Sequence, residues 1–126
     1  MDIKILEKAL LKSWSRETSY YSAEWNESNP ALGQCAITAL IVNDYFGGDI
    51  VWSEAILSNK QKISHYFNII DGKEVDLTRS QFPKGTIIPK GIEKKKIFIS
   101  TREYLMSYEG KNSRYAILKE RVEDYL

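Results

Sequence analysis

Residues 63–78 read ISHYFNIIDGKEVDLT, two runs rich in β-branched and aromatic residues divided by Asp71-Gly72. Asp-Gly between such runs suits a two-residue type I′ turn, so the segment is expected to form a β-hairpin in which Ile70 pairs with Lys73. Stepping outward, Phe67 falls opposite Asp76 and His65 opposite Thr78. In that register His65, Phe67, Asp76 and Thr78 share one face, with His65 and Asp76 diagonal neighbours about 7–8 Å apart between backbones. A slip of one residue would put them on opposite faces. Asn68 belongs to the face away from His65.

Upstream, NPALGQCAITALIVNDYFGG spans residues 29–48. From Cys35 to Phe46 it is apolar on nearly every side and then meets Gly47-Gly48, a helix C-terminal signal, so a buried central helix is expected. Gly33 is a poor helix-interior residue, which puts the start at Gly33 or Gln34 and Cys35 in the first turn. At the N-terminus, Ile3, Leu6, Ala9, Leu10 and Trp14 recur at helical steps, giving an amphipathic helix that ends near Ser13 to Ser15. SRETSYYSAEWNESNP, which follows, has no period and reads as a loop crossing a site.

Beyond the double glycine, DIVWSEAIL fits a strand and SQFPKGTIIPKG a loop. KKIFIS is expected as a strand, TREYLMSYEG as a short helix stopped by Gly110, and Lys111 to Leu126 as a final helix with Tyr115, Leu118, Val122 and Tyr125 along its apolar stripe. Helices at both ends around an antiparallel middle make the chain α+β. With 126 residues and 43% hydrophobic content it is one domain, residues 1–126, with material for one core.

A formal net charge of +1 offers no field for nucleic acid or an anionic membrane. Lys94, Lys95 and Lys96 read as a solvated turn or strand end. No segment approaches the roughly 20 apolar residues of a membrane span, and the N-terminus lacks the apolar run and cleavage site of a leader, so a cytoplasmic protein is expected. One cysteine forms no internal disulfide, and one Cys with one His cannot build a four-ligand zinc site of Cys/His type. Nothing signals a cofactor.

A thiol in the first turn of a helix feels the positive end of the dipole and free amides, which favour a thiolate and can receive an oxyanion. Gly33 removes a side chain just before it, leaving room for a substrate to approach. The sole histidine, His65, has Asp76 placed to orient its ring, the base-plus-orienter half of a triad. The alternatives stand beside this: a lone Cys is often a small buried hydrophobe, and a lone His on a strand is often structural. Gln34 either points into the site or satisfies the helix's first turn, the latter being favoured. Trp14 and Trp25 flank the irregular loop and either wall a cleft or pack a core. Gln81, with Phe82, follows the aspartate strand, where it braces the site or caps a turn.

NPALGQCAITALIVNDYFGGDI, followed by HYFN and DLTRSQF, resembles the YunG-like family of small bacterial proteins, as do WSRETS, REYLMS and RYAILKERV; the likeness covers most of the chain. More remotely, a GQC-type cysteine, an HxFN-type histidine strand and then an aspartate resemble papain-like cysteine hydrolases, a group that includes compact cell-wall peptidases, transglutaminase-like proteins and papain-fold deamidases. That resemblance implies Cys35 as nucleophile, His65 as general base and Asp76 as orienting acid. Asn29 stands six residues before Cys35, where papain-like peptidases carry an oxyanion-hole glutamine, although an Asn-Pro turn explains it equally. His65 and Asp76 are closer in sequence than in transglutaminases, which favours amide hydrolysis over calcium-dependent crosslinking.

The expectation is a thiol-dependent amide hydrolase of peptidase or glutamine-deamidase type, or an acyl transferase, with a papain-like core and a peptide or protein substrate. The alternative is a catalytically silent papain-like domain that binds a protein partner. Oligomeric state is open.

Overall fold

Asp71 and Gly72 adopt φ of 51° and 77°, the two left-handed residues of a type I′ turn. In the computed structural model, which describes residues 1–126, this turn joins β2 (Lys62–Ile70) to β3 (Lys73–Val75). The pairs are Ile70 with Lys73, Ile69 with Glu74 and Asn68 with Val75, the register expected from the sequence. β1 (Asp49–Ile56) lies antiparallel on the other side of β2, with Trp52 opposite Tyr66 and Ser53 opposite His65. The sheet order is β1-β2-β3. Around it stand α1 (Ile3–Ser13), α2 (Cys35–Phe46), α3 (Thr101–Met106) and α4 (Glu109–Tyr125), so the protein is α+β with four helices and a three-stranded antiparallel sheet.

Strand alternation divides the side chains between the two faces of the sheet. Ile50 and Tyr66 join the core with α2, and Asn68 on the same face donates from Nδ2 to the Ala39 carbonyl at 3.0 Å. His65 is on the other face, stacked on Phe67 with ring centroids 5.5 Å apart and edge-on to Phe82 at 4.9 Å. Asn68 therefore points away from His65, as the alternation requires.

α2 is buried without a break from Ala36 to Val42, because α4 and the sheet pack around it. Its helix ends at Gly47, whose φ of 70° suits glycine. α1 contributes Leu6, Ala9 and Leu10, α3 Leu105, and α4 Leu118 and Val122 to the same core. Asp2 caps α1 by accepting from the Lys4 amide at 2.9 Å. Arg102 of α3 ties down the C-terminal half of α2, donating to the Leu40 carbonyl, Asn43 Oδ1 and Asp44 Oδ1. No helix is long and apolar enough to cross a membrane.

Two expectations fail in the last third of the chain. KKIFIS is not a strand: Ile97 and Ile99 are 94% and 81% exposed. Isolated bridges from Ile92 to Trp52 and from Ile87 to Ile56 already occupy the outer edge of β1. Residues 95–100 join no strand, and Ser100 instead caps α3 through the Glu103 amide at 3.2 Å. Nor does Gly110 stop a helix. α3 ends at Met106 and Gly110 sits in the first turn of α4, which starts at Glu109. Tyr125, 53% exposed, lies off the buried stripe of Tyr115, Leu118 and Val122.

Candidate active site

The loop between α1 and α2 folds back on itself. Ser19 Oγ donates to the Leu32 carbonyl at 2.6 Å and the Tyr20 amide to the Gly33 carbonyl at 2.9 Å. Gly33 has φ of 74°, and a Cβ there would meet Ser19 Oγ and come within 2.8 Å of the amide nitrogens of both Tyr20 and Tyr21. The space a side chain at Gly33 would take is filled by this loop, while the glycine itself lies on the wall of a cavity over Cys35. Gln34 is fully buried and donates from Nε2 to the Ser15 carbonyl at 3.0 Å. Its side chain makes no capping bond to α2, contrary to the favoured expectation.

Asn29 and Gln81 hold each other's segments together. Asn29 Nδ2 donates to the Gln81 carbonyl at 3.1 Å, and the Gly33 amide donates to Gln81 Oε1 at 3.3 Å. Gln81 Nε2 is buried without a partner. Trp25 Nε1 donates to the Pro30 carbonyl at 3.0 Å, and Trp14 Nε1 to Thr38 Oγ1 at 3.0 Å within the core.

Cys35 is the first residue of α2 and half-buried. The first intrahelical acceptor of α2 is the Gln34 carbonyl, taken by the Thr38 amide, and no side chain caps the helix. The amides of Cys35, Ala36 and Ile37 consequently have no acceptor, as the opening of an uncapped helix leaves them.

His65 is completely buried, and its Nε2 lies 2.7 Å from Asp76 Oδ2. Asp76 Oδ1 in turn accepts from the Thr78 amide at 3.3 Å. Burial alone would push the imidazole below its ordinary 6.5. The Asp76 hydrogen bond, and behind it the Cys35 thiol, outweigh burial and raise it to about 9. His65 Nδ1 is buried and makes no hydrogen bond. The ring is therefore an imidazolium at neutral pH, held by a carboxylate on Nε2 and influenced by the one thiol of the chain.

A cavity of about 280 Å³ opens over Cys35. Of the residues singled out from the sequence, Gly33, Cys35 and Gln81 reach its wall, whereas Asn29, Trp25 and Gln34 do not. His65 and Asp76 are paired outside the lining. The wall also contains Tyr20, Tyr21, Tyr66, Lys94, Lys111 and Arg114, none of which sequence reasoning placed there. Lys111 and Arg114 stand three apart on α4, a spacing that shares one helix face. It was the one legible sign of them. No cluster of three or more His, Cys, Asp or Glu side chains could hold a metal ion.

The sequence matches the family model described as YunG protein over residues 2–126. A protein of Bacillus subtilis (strain 168) described as "Uncharacterized protein YunG" is 38% identical over 73 residues, which make up 58% of this chain and 56% of that protein. The match thus spans little more than half of that relative's length. No solved structure matches the chain. With nearly every residue covered by the family model, the chain belongs to the YunG protein family.

Proposed function

We propose that this protein is a thiol-dependent amide hydrolase with a papain-like core, acting in the cytoplasm on a peptide or protein through Cys35, His65 and Asp76. The observation that carries it is the position of the only histidine, bonded to Asp76 at 2.7 Å through Nε2 while the only cysteine acts on the same ring. Such a base, oriented by a third group and adjoining a nucleophile, is the arrangement nucleophilic catalysis requires. The free amides at the start of α2 and the unpaired Nε2 of Gln81 supply donors for an oxyanion.

In this reading the attacking species is the Cys35 thiolate, with His65 beside it as the imidazolium. Cys35 Sγ attacks the amide carbon, the carbonyl π electrons move to oxygen, and the tetrahedral oxyanion is held by the donors at the α2 N-terminus. As the C–N bond breaks, the imidazolium gives its proton to the leaving nitrogen, leaving a thioester on Cys35. His65, now neutral, takes a proton from water, which attacks the thioester. The acid departs and the thiolate–imidazolium pair is restored. With ammonia as the leaving group the same sequence is a deamidation, and with an amine in place of water it is an acyl transfer.

The test is the rate of Cys35 alkylation against pH in the parent and in His65→Ala. An ordinary thiol is half-ionised near pH 8.5. The parent is expected to stay reactive well below that pH, and the variant to need alkaline pH, as paired cysteines do. Identical ordinary profiles in both proteins would mean a catalytically silent domain. Exposure to p-nitrophenyl acetate should release one nitrophenol per chain in a burst that Cys35→Ser abolishes.

A further inference from the structure

Three cations line the cavity over Cys35, Lys94, Lys111 and Arg114, and no aspartate or glutamate lines it, although the chain carries 17 of them. The other arginines all have oxygen partners. Arg16 and Arg79 bond to carbonyls, and Arg102 and Arg121 to Asp44 and Glu17. Arg114 has none, and its Nε is buried.

What touches the cations is aromatic. Lys111 Nζ is 4.4 Å from the Tyr108 ring centre, Arg114 is 5.6 Å from that of Tyr20, and Lys94 Nζ is 4.2 Å from that of Trp52. Ring faces soften an unpaired cation but leave its N–H groups free for an anion. Burial, and then the neighbouring Arg114 charge, push Lys111 below its ordinary range; burial does the same to Arg114. Apart from tyrosine hydroxyls, Cys35 is the one acidic group acting on either.

We propose that the cleft selects an amide flanked by a carboxylate, as in an acidic peptide, and that Lys111 and Arg114 seat that carboxylate beside Cys35. The planar guanidinium of Arg114 offers the two-pronged fit that a carboxylate prefers. The identity of the substrate class rests on the hydrolase reading above; the anion site itself does not.

Two alkylating agents of nearly equal size test it, iodoacetate, which carries a carboxylate, and iodoacetamide, which carries none. The ratio of their rates at Cys35, divided by the same ratio for N-acetylcysteine, cancels any change in thiol ionisation and reports only preference for the anion. We expect a preference of at least about tenfold at low ionic strength, the lower end of what a cleft lined with one sign of charge produces. It should fall severalfold in 1 M salt, where screening reaches about 3 Å. Lys111→Gln with Arg114→Gln should bring it close to one, with an unchanged circular dichroism spectrum as the control for an intact fold. If the double variant misfolds, the single change Lys111→Gln, at the half-buried lysine, should at least halve the preference. A ratio of one in the parent overturns the proposal, as does a preference that survives both substitutions, which would belong to His65 alone. Ordinary alkylation at every pH with the preference intact would remove the hydrolase and leave the anion site standing.

Discussion

His65 Nε2 lies 2.7 Å from Asp76 Oδ2, although Asp76 stands one residue beyond the last ladder pair of the hairpin, Asn68 with Val75. The early end of β3 matters: freed from the ladder, Asp76 closes the diagonal gap that a regular strand pair would leave between them. A three-residue strand thus positions the carboxylate that governs the protonation of the imidazole.

Asp76→Asn keeps the shape of that contact and removes its charge. Since the chain has one histidine, a single imidazole signal can be followed by NMR as pH is changed. In the parent its midpoint should fall near 9, and in the variant at least about one unit lower, the ordinary effect of losing a charged partner. An unmoved midpoint would show that Asp76 does not hold the proton.

The same proton links stability to pH. The folded His65 value, about 9, stands above the unfolded value of 6.5. The protonated ring therefore stabilises the fold fully below about pH 6.5, and that contribution fades as pH rises through about 9. Its size is about 3 kcal/mol at one pH unit per 1.36 kcal/mol. Urea midpoints should fall between pH 6 and pH 9.5 in the parent and much less in His65→Gln. Equal slopes in the two would sink the assignment.

Gly33 and Gly72 share a left-handed backbone, φ 74° and 77°, but not surroundings. Nothing lies within 4 Å of a Cβ added at Gly72, so Gly72→Ala should cost about 1 kcal/mol of backbone strain and no more. At Gly33 the added methyl collides with Ser19, Tyr20 and Tyr21, and the cost should exceed about 3 kcal/mol, as overpacking adds to strain. Chemical denaturation of the two variants checks the order, and equal losses would contradict the crowded loop.

Arg102 reaches the Leu40 carbonyl, Asn43, Asp44 and the Tyr115 hydroxyl at distances between 2.7 and 3.3 Å. Lysine keeps the charge but cannot span four partners. Arg102→Lys should lower stability by about 1–2 kcal/mol, roughly one to two net hydrogen bonds. A variant as stable as the parent would mean that the bridge between α2, α3 and α4 holds little.

The hairpin register was legible because Asp71-Gly72 admits few turns and the pleat fixes every later side chain. α2 was legible because the segment between Gly33 and Gly47 is apolar on nearly every side. KKIFIS misled because alternation cannot reveal that Ile87 and Ile92 have already taken the edge of β1. Gly33 was understood as a glycine but not as a close approach, since Ser19 to Tyr21 come back to it only in three dimensions. The cationic wall was hidden for the same reason: Lys94, Lys111 and Arg114 are scattered among residues of ordinary surface composition. They gather only when α4 docks.

That gathering also ties the surroundings of Cys35 to the state of the whole chain. The walls around Cys35 come from the 19–21 loop, α2, β2 and the two C-terminal helices, and Arg121 near the chain end fastens the loop by bonding to the Ser13 carbonyl, Ser15 Oγ and Glu17. Every layer must be in place before the only sulfhydryl acquires its surroundings. Cys35 is consequently a built-in gauge of assembly: its selectivity between charged and neutral reagents reads out, at one atom, whether the whole chain has folded.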